Sequence, residues 1–335
     1  MSVGKDRFCG KTSSSILSIS PFRSINESSI KMELTSTIQY WLPSAIVPLV
    51  KRLSGKDNQS LIDSFLKNGR VPWSSGYNSY KDTFIADVLA HKAHWQQWQK
   101  GERLPIGYGS GLDERCVEYP WAFANLPESA TRILDAGSAL NFEHLVSQFD
   151  LSRQSLDIVT LAPEHRCFWQ QGISYLYHDL RCLPLKNDFY SAIVSLSTIE
   201  HIGFDNRLYD SNTDVEDAPL DYLFAIQELR RVLKPGGSLI LSVPFGRYKK
   251  FDSFQQFDCE LLERAIETFS PETYRIYFYR YSQEGWQVST AEDCMDAQYV
   301  EWITQLKSSK LPKVLPVEPD KAAAARAVAC IELIK

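Results

Sequence analysis

A short apolar run, Ile133 and Leu134, stops at an acidic residue, Asp135, and the chain then turns through Gly137. About a hundred residues later, Arg231-Val-Leu-Lys-Pro-Gly-Gly237 leads into a second apolar run, Ser238–Val243. A sharp turn at the carboxyl end of a buried parallel strand is where open α/β sheets bind nucleotides. The interval between the two signatures has room for three further strand–helix units. From 131 onward strand and helix signals alternate, which predicts a mostly parallel sheet with helices on both faces.

Strands are expected at Arg132–Asp135, Asp157–Leu161, near Ile173–Tyr177, at Ala192–Leu196 and at Ser238–Val243, with two more at Tyr274–Tyr281 and Ala327–Ile334. The last two read as a hairpin-like ending, giving seven strands. Before Ser238, Leu223, Ile226, Leu229 and Leu233 recur at helical spacing and define one buried stripe, with Gly236 as a helix-stop glycine. Residues 32–112 read as a helical N-terminal extension, with helical spacing of apolar residues over Asp82–Gln99. His91 and His94 share a face there, but no further ligands lie nearby, so no metal site is predicted. Gly107–Gly111 imitates a nucleotide loop but does not follow a buried strand, and it reads as a connector. Residues 1–31 are serine-rich with little apolar periodicity and read as a disordered or over-called leader.

The chain of 335 residues carries a net charge of −5, which argues against nucleic acid as partner, since phosphate neutralisation needs a basic surface. Seven scattered cysteines with no Cys-x-x-Cys pair point to a reducing, cytoplasmic setting. No apolar run is long enough to span a bilayer. Tyr40–Leu53 offers at most a weak peripheral membrane contact.

The order of these motifs resembles the class I S-adenosylmethionine-dependent methyltransferases over residues 113–335. The resemblance implies a Rossmann-like seven-stranded domain that uses S-adenosyl-L-methionine. Asp135-Ala-Gly-Ser-Ala-Leu-Asn141 is similar to the family's first motif, with Ala139 and Asn141 where two further glycines are usual. It implies cofactor contacts from Asp135, Ala136, Gly137 and Ser138, with Asp135 on the methionine ammonium, directly or through water, and Asn141 free to cap the next helix. The strand 2 acid that grips the ribose is missing. Thr160 stands there beside Leu161, and Glu164 is the carboxylate able to reach round; Asp157 is too far back along the strand. Asp179 and Leu180, in His178-Asp-Leu-Arg-Cys-Leu-Pro-Leu185, match the adenine loop.

Ser195-Leu-Ser-Thr-Ile-Glu-His-Ile-Gly203 closes strand 4 and implies Ser195 at the cofactor. Glu200 and His201 fall at the methyl position, His201 as general base with Glu200 orienting its ring. Tyr119, in the Asp113–Trp121 segment expected to cover the cofactor, and Arg247 and Lys249 after strand 5 are the expected acceptor contacts. The acids Asp205, Asp210, Asp214, Glu216 and Asp217 read as a solvated loop. The wording of these motifs resembles a bacterial branch that accompanies surface-glycan genes, implying O-methylation of a sugar, nucleotide sugar or related glycan precursor. Two alternatives stand at this point. One is a cofactor-binding module with a degenerate methyltransferase fold and no turnover, and the other is a methyltransferase acting on a different small molecule. A nicotinamide enzyme is opposed by the Lys-Pro-Gly-Gly turn and the incomplete glycine motif.

Overall fold

Side chains alternate across β1 (Arg132–Ala136) and feed two separate cores, Ile133 into one and Leu134 and Ala136 into the other. The same division runs through β4 (Tyr190–Leu196), β5 (Leu233–Pro244) and β10 (Ala327–Ile334), where period-2 geometry sends Val194, Ile240 and Cys330 to the first core and Ile193, Leu241 and Ile331 to the second. These strands are buried on both faces, which explains their near-continuous apolar composition. A computed structural model describes residues 58–207, 214–301 and 317–335. The proposed leader 1–31 and the Tyr40–Leu53 stretch lie outside the described residues.

Among the described residues the main sheet has eight strands in the order β3-β2-β1-β4-β5-β10-β8-β9. β2 (Ser155–Thr160) and β3 (Ser174–Tyr177) complete the parallel part with β1, β4 and β5. β10 is antiparallel to both its neighbours, β5 and β8 (Thr273–Ser282). The expected seven strands are present, and β9 (Gly285–Ser289) adds an eighth, antiparallel to β8. A two-residue pair, β6 (Lys249–Lys250) and β7 (Gln255–Gln256), forms a small separate ladder.

Regular crossover helices are fewer than the strand–helix alternation predicts. Only a one-turn helix, Glu143–Val146, follows β1; a 3₁₀ turn, Trp169–Gln171, separates β2 from β3; no helix joins β3 to β4. The first core is instead closed by chain from before the sheet. It takes Phe65, Tyr77, Ile85 and Leu89, the last three from α1 (Tyr77–Ala90), together with Trp98 of α2 (Trp95–Lys100) and Trp121 of α3 (Arg115–Asn125). The Glu143–Val146 turn is α4. On the opposite face α5 (Tyr222–Val232) and α6 (Cys259–Phe269) contribute Ile226, Leu229, Leu262 and Phe269.

Two local expectations are corrected. α5 ends at Val232 and Leu233 is already extended, because Pro235 cannot continue the helix and biases its predecessor toward extended backbone. Gly236, at φ +72°, therefore lies within β5, where its N–H meets the Lys335 carbonyl, and is not a helix stop. The helix expected across Asp82–Gln99 breaks at His91, whose ring nitrogen Nδ1 lies 2.6 Å from the Asp87 carbonyl at the end of α1. His91 and His94 stack on one another, and no cluster of three metal-type ligands occurs among the described residues.

Candidate active site

The carboxyl ends of β1, β2, β3 and β4 open onto one cavity of about 620 Å³. Its floor comes from the turns after those strands; its other wall comes from α1 and α3. A crevice at the strand ends is the binding position of open α/β sheets.

The turn after β1 is built from strained backbone. Gly137 has φ +116°, and a Cβ there would collide with the side chain of Thr198, 2.8 Å from its Cβ. Glycine is required by that conformation and by that neighbour. Ser138 follows at φ +61°, and its buried Oγ faces no hydrogen-bond partner among the described residues. Gly137, Ser138 and Ala139 line the cavity. Asp135 does not. It is fully buried, and its carboxylate accepts the Ala139 and Leu140 N–H groups at 3.1 and 2.8 Å. Burial pushes its carboxyl up to about 7 against those two hydrogen bonds. Asp135 therefore folds the turn back upon itself, and a direct contact from its carboxylate to the cavity is not part of this arrangement. Ala136 is buried too, its carbonyl accepting the Ser195 hydroxyl at 3.0 Å. Ser195 thus ties β4 to β1 beneath the floor and is absent from the cavity wall, contrary to expectation.

At the β2 end, Thr160, Leu161 and Glu164 all reach the wall. Asp157 accepts from the Tyr190 hydroxyl at 2.9 Å and stays within the sheet. Asn141 is not a helix cap, since α4 starts after Phe142 with no side-chain cap. Its amide instead donates to Glu164 Oε2 and to the Arg166 carbonyl, both at 3.0 Å. After β3, Asp179 and Leu180 line the cavity. The Asp179 carboxylate is engaged by the Arg181 guanidinium and backbone N–H, and Arg181 also pairs with Glu216 and Asp221. Burial raises the Asp179 carboxyl, but the Arg181 bonds outweigh it and hold the group below the usual range. Glu216 thus belongs to an ion-pair network rather than to a solvated loop.

β4 is followed by a 3₁₀ turn, Ile199–His201. His201 lies on the cavity wall. Its Nδ1 is 2.8 Å from the Ser253 carbonyl and its ring packs on Phe254, 5.5 Å between centroids. A carbonyl only accepts, so Nδ1 carries the proton and the lone pair sits on Nε2. Burial lowers the imidazole to about 4, partly offset by the Ser253 bond, so the ring is neutral near pH 7. Glu200 is not the group that orients it. Its Oε1 is 4.0 Å from Nε2, its other oxygen is buried without a hydrogen bond, and burial raises the carboxyl well above its ordinary value. Ser253 does that work, from the loop between β6 and β7.

The α3 wall is a polar network. Tyr119 donates to the Ala139 carbonyl at 2.8 Å, and the Arg115 guanidinium lies over the Tyr119 ring. Arg115 also donates to the Leu196 carbonyl and pairs with the buried Glu118, which accepts the Ser197 and Ser242 hydroxyls at 2.5 and 2.7 Å. Tyr119 reaches the cavity; Arg247 and Lys249 do not. Both are exposed. Lys249 lies 4.0 Å from Glu301 and above the Phe251 ring, so the expected acceptor contacts from this stretch are corrected. The hairpin approaches the site through Ser253 and Phe254 instead.

Sequence reasoning missed Asn78, Lys81 and Asp82 of α1, and Phe142, His144 and Arg166, all on the wall. The spacing of Asn78, Lys81 and Asp82 places them on one helix face, a signal present in the sequence. Burial holds the Asp82 carboxyl above, and the His144 imidazole below, its ordinary range.

Residues 133–241 match a family model described as "Methyltransferase domain". No curated protein matches the chain. Solved structures similar to it include the YcgJ protein of Bacillus subtilis, 12% identical over 61% of this chain and 92% of that one, with a TM-score of 0.38. Another is a Thermotoga maritima protein described as a SAM-dependent methyltransferase and possible histamine N-methyltransferase, 14% identical over 76% and 100%, TM-score 0.36. A putative methyltransferase of Bacillus halodurans is 15% identical over 64% and 95%, TM-score 0.36.

Proposed function

We propose that this chain, whose residues 133–241 match a methyltransferase domain, is an S-adenosylmethionine-dependent methyltransferase that O-methylates a sugar, a nucleotide sugar or a related glycan precursor. The cofactor fits the residues present. The Ser138 hydroxyl, buried at the cavity turn, has no hydrogen-bond partner among the described residues and is a group that a bound cofactor would satisfy. Gly137, Ser138, Thr160, Leu161, Glu164, Asp179 and Leu180 would hold the cofactor. S-adenosylmethionine, when bound, supplies a methyl group on a sulfonium that needs no further activation.

The observation that carries the acceptor reading is His201, an imidazole on the cavity wall whose Nδ1 is fixed by the Ser253 carbonyl. A hydroxyl that received the methyl group would gain an oxygen–carbon bond as the carbon–sulfur bond of the sulfonium broke and the thioether left, and it would have to give up its proton. His201 is the group that takes it, and the oriented ring keeps that transfer within reach. Asn78, Asp82 and Asn206 supply further wall groups suited to hydroxyls by their donor and acceptor complement. Among the described residues no helix is long and apolar enough to cross a membrane.

The test is transfer of labelled methyl from S-adenosylmethionine to a panel of nucleotide sugars and lipid-linked glycans. Label in an alkali-stable ether on a sugar is expected. Label confined to amine or carboxylate acceptors in a parallel panel would overturn the O-methyl reading while leaving the enzyme class intact.

A further inference from the structure

The loop after β2 has one exposed carboxylate at the cavity, and its position is set by a residue that the strand–turn motif does not require. Asn141 is 1% exposed. Its side-chain hydrogen bonds go to the β2–β3 connection and to β3. Nδ2 donates to Glu164 Oε2 and the Arg166 carbonyl at 3.0 Å, and Oδ1 accepts the Tyr175 hydroxyl at 2.9 Å. The Tyr175 oxygen in turn accepts the Phe168 N–H at 2.8 Å. The Arg166 guanidinium lies 4.1 Å from the Phe142 ring centroid, clamping the same loop from the other side. A glycine at 141 would leave Glu164 Oε2, the Arg166 carbonyl and the Tyr175 hydroxyl without this partner.

β2 itself supplies no acid to the cavity. It ends at Thr160, and Asp157 is engaged by Tyr190 inside the sheet. Between 155 and 166 the only other acid is Glu164, which lines the cavity and has one carboxylate oxygen fixed by Asn141. We propose that Asn141 is a positioning residue that holds Glu164 over the cavity as the carboxylate for the ribose hydroxyls of S-adenosylmethionine, so that a side chain at the β1 turn replaces the acid missing from β2. With Oε2 held, Oε1 presents its lone pairs in a fixed direction, and a vicinal diol is the group that such a carboxylate receives. The inference rests on cofactor binding in this cavity.

Calorimetric titration with S-adenosylhomocysteine and with its 2′-deoxyribose analogue tests it. Glu164→Gln, at an exposed side chain that leaves the fold intact, should weaken S-adenosylhomocysteine roughly 10- to 100-fold, the span of a charge-assisted hydrogen bond. Asn141→Ala should weaken it by a similar factor, and Asn141→Ala/Glu164→Gln no further than Glu164→Gln alone, because both act through one contact. Tyr175→Phe, a milder change, should produce a smaller loss in the same direction even if Asn141→Ala proves too unstable to titrate. The 2′-deoxy analogue should be far less sensitive to each substitution. Unchanged affinity in Glu164→Gln, additive losses in the double variant, or equal losses for both ligands would each overturn the assignment. If S-adenosylhomocysteine fails to bind the unmodified chain, the cofactor reading falls with it, an outcome distinct from normal binding that ignores Glu164.

Discussion

Replacing His201 by alanine separates a proton acceptor from a packing residue. The folded protein holds this imidazole near 4, against 6.5 for the ordinary group, chiefly through burial. Between those two values the unfolded chain takes up a proton that the folded chain refuses, so stability rises with pH across that window. The contribution is fully present above about pH 6.5 and is lost as the pH falls through 4. The difference corresponds to about 3 kcal/mol. Burial acts with opposite sign on Asp135 and Glu114, whose carboxyls are raised to about 7 and about 8, so the wild-type profile alone is a sum of opposed slopes. Urea unfolding of wild type and His201→Ala at several values from pH 4.5 to 7.5 isolates the histidine as the difference between them.

At pH 7.5 the variant should be less stable by about 1–3 kcal/mol, because the Ser253 carbonyl loses its donor and Phe254 its ring contact. That gap should shrink steadily as the pH falls. Cofactor affinity should stay nearly intact, turnover per folded molecule should fall by a factor on the order of 10² to 10⁴, and the acid limb of kcat/KM should vanish. A gap that is constant with pH would refute the burial argument, and near-normal turnover would refute the base assignment.

Other substitutions read different parts of the site. Ser138→Ala should leave the protein as stable or slightly more so, since it removes a buried hydroxyl without a partner, while weakening S-adenosylhomocysteine several-fold; a loss of melting temperature with affinity unchanged would show the hydroxyl to be structural. Gly137→Ala should lower the melting temperature before any ligand is added, because the new Cβ meets Thr198, and Thr198→Gly should restore part of the loss; full stability in the single variant would contradict the close approach. Asp135→Asn should flatten the part of the stability profile that falls as pH rises from about 4 through 7, because the raised carboxyl favours folding only while protonated; a slope as steep as wild type would place that titration elsewhere.

Much of this architecture was legible in residue order. Ile133, Leu134, Asp135 and Gly137 mark β1 and its turn, and the apolar runs at Ile193 and Leu239 mark the strands that pair beside it. Side-chain direction was less legible. Asp135 and Ser195 have the expected residue types at the expected ends of strands, but the chain turns both inward, and only three-dimensional neighbours such as the Leu140 N–H and the Ala136 carbonyl reveal it. β9 escaped because five residues interrupted by Gln287 carry too short a pattern. The α1 wall escaped for another reason. Asn78 and Asp82 look like ordinary solvent positions on a helix until the cavity is known to lie opposite them.

The sparse crossover helices have a consequence for how the chain acquires its fold. Trp73 donates to the Ala323 carbonyl, a contact spanning 250 residues, and β10 inserts between β5 and β8 rather than adding to an edge. During synthesis the apolar faces of α1 and α2 are made first, yet the strands that cover them are completed only when residues 327–334 have emerged from the ribosome. Closure of the first core therefore waits on residues 327–334, carries a high loop-closure cost, and gathers distant segments. Until then the apolar faces of the helices and the open flank of β5 are uncovered, the kind of surface through which incompletely folded chains associate, so refolding yield should fall as protein concentration rises.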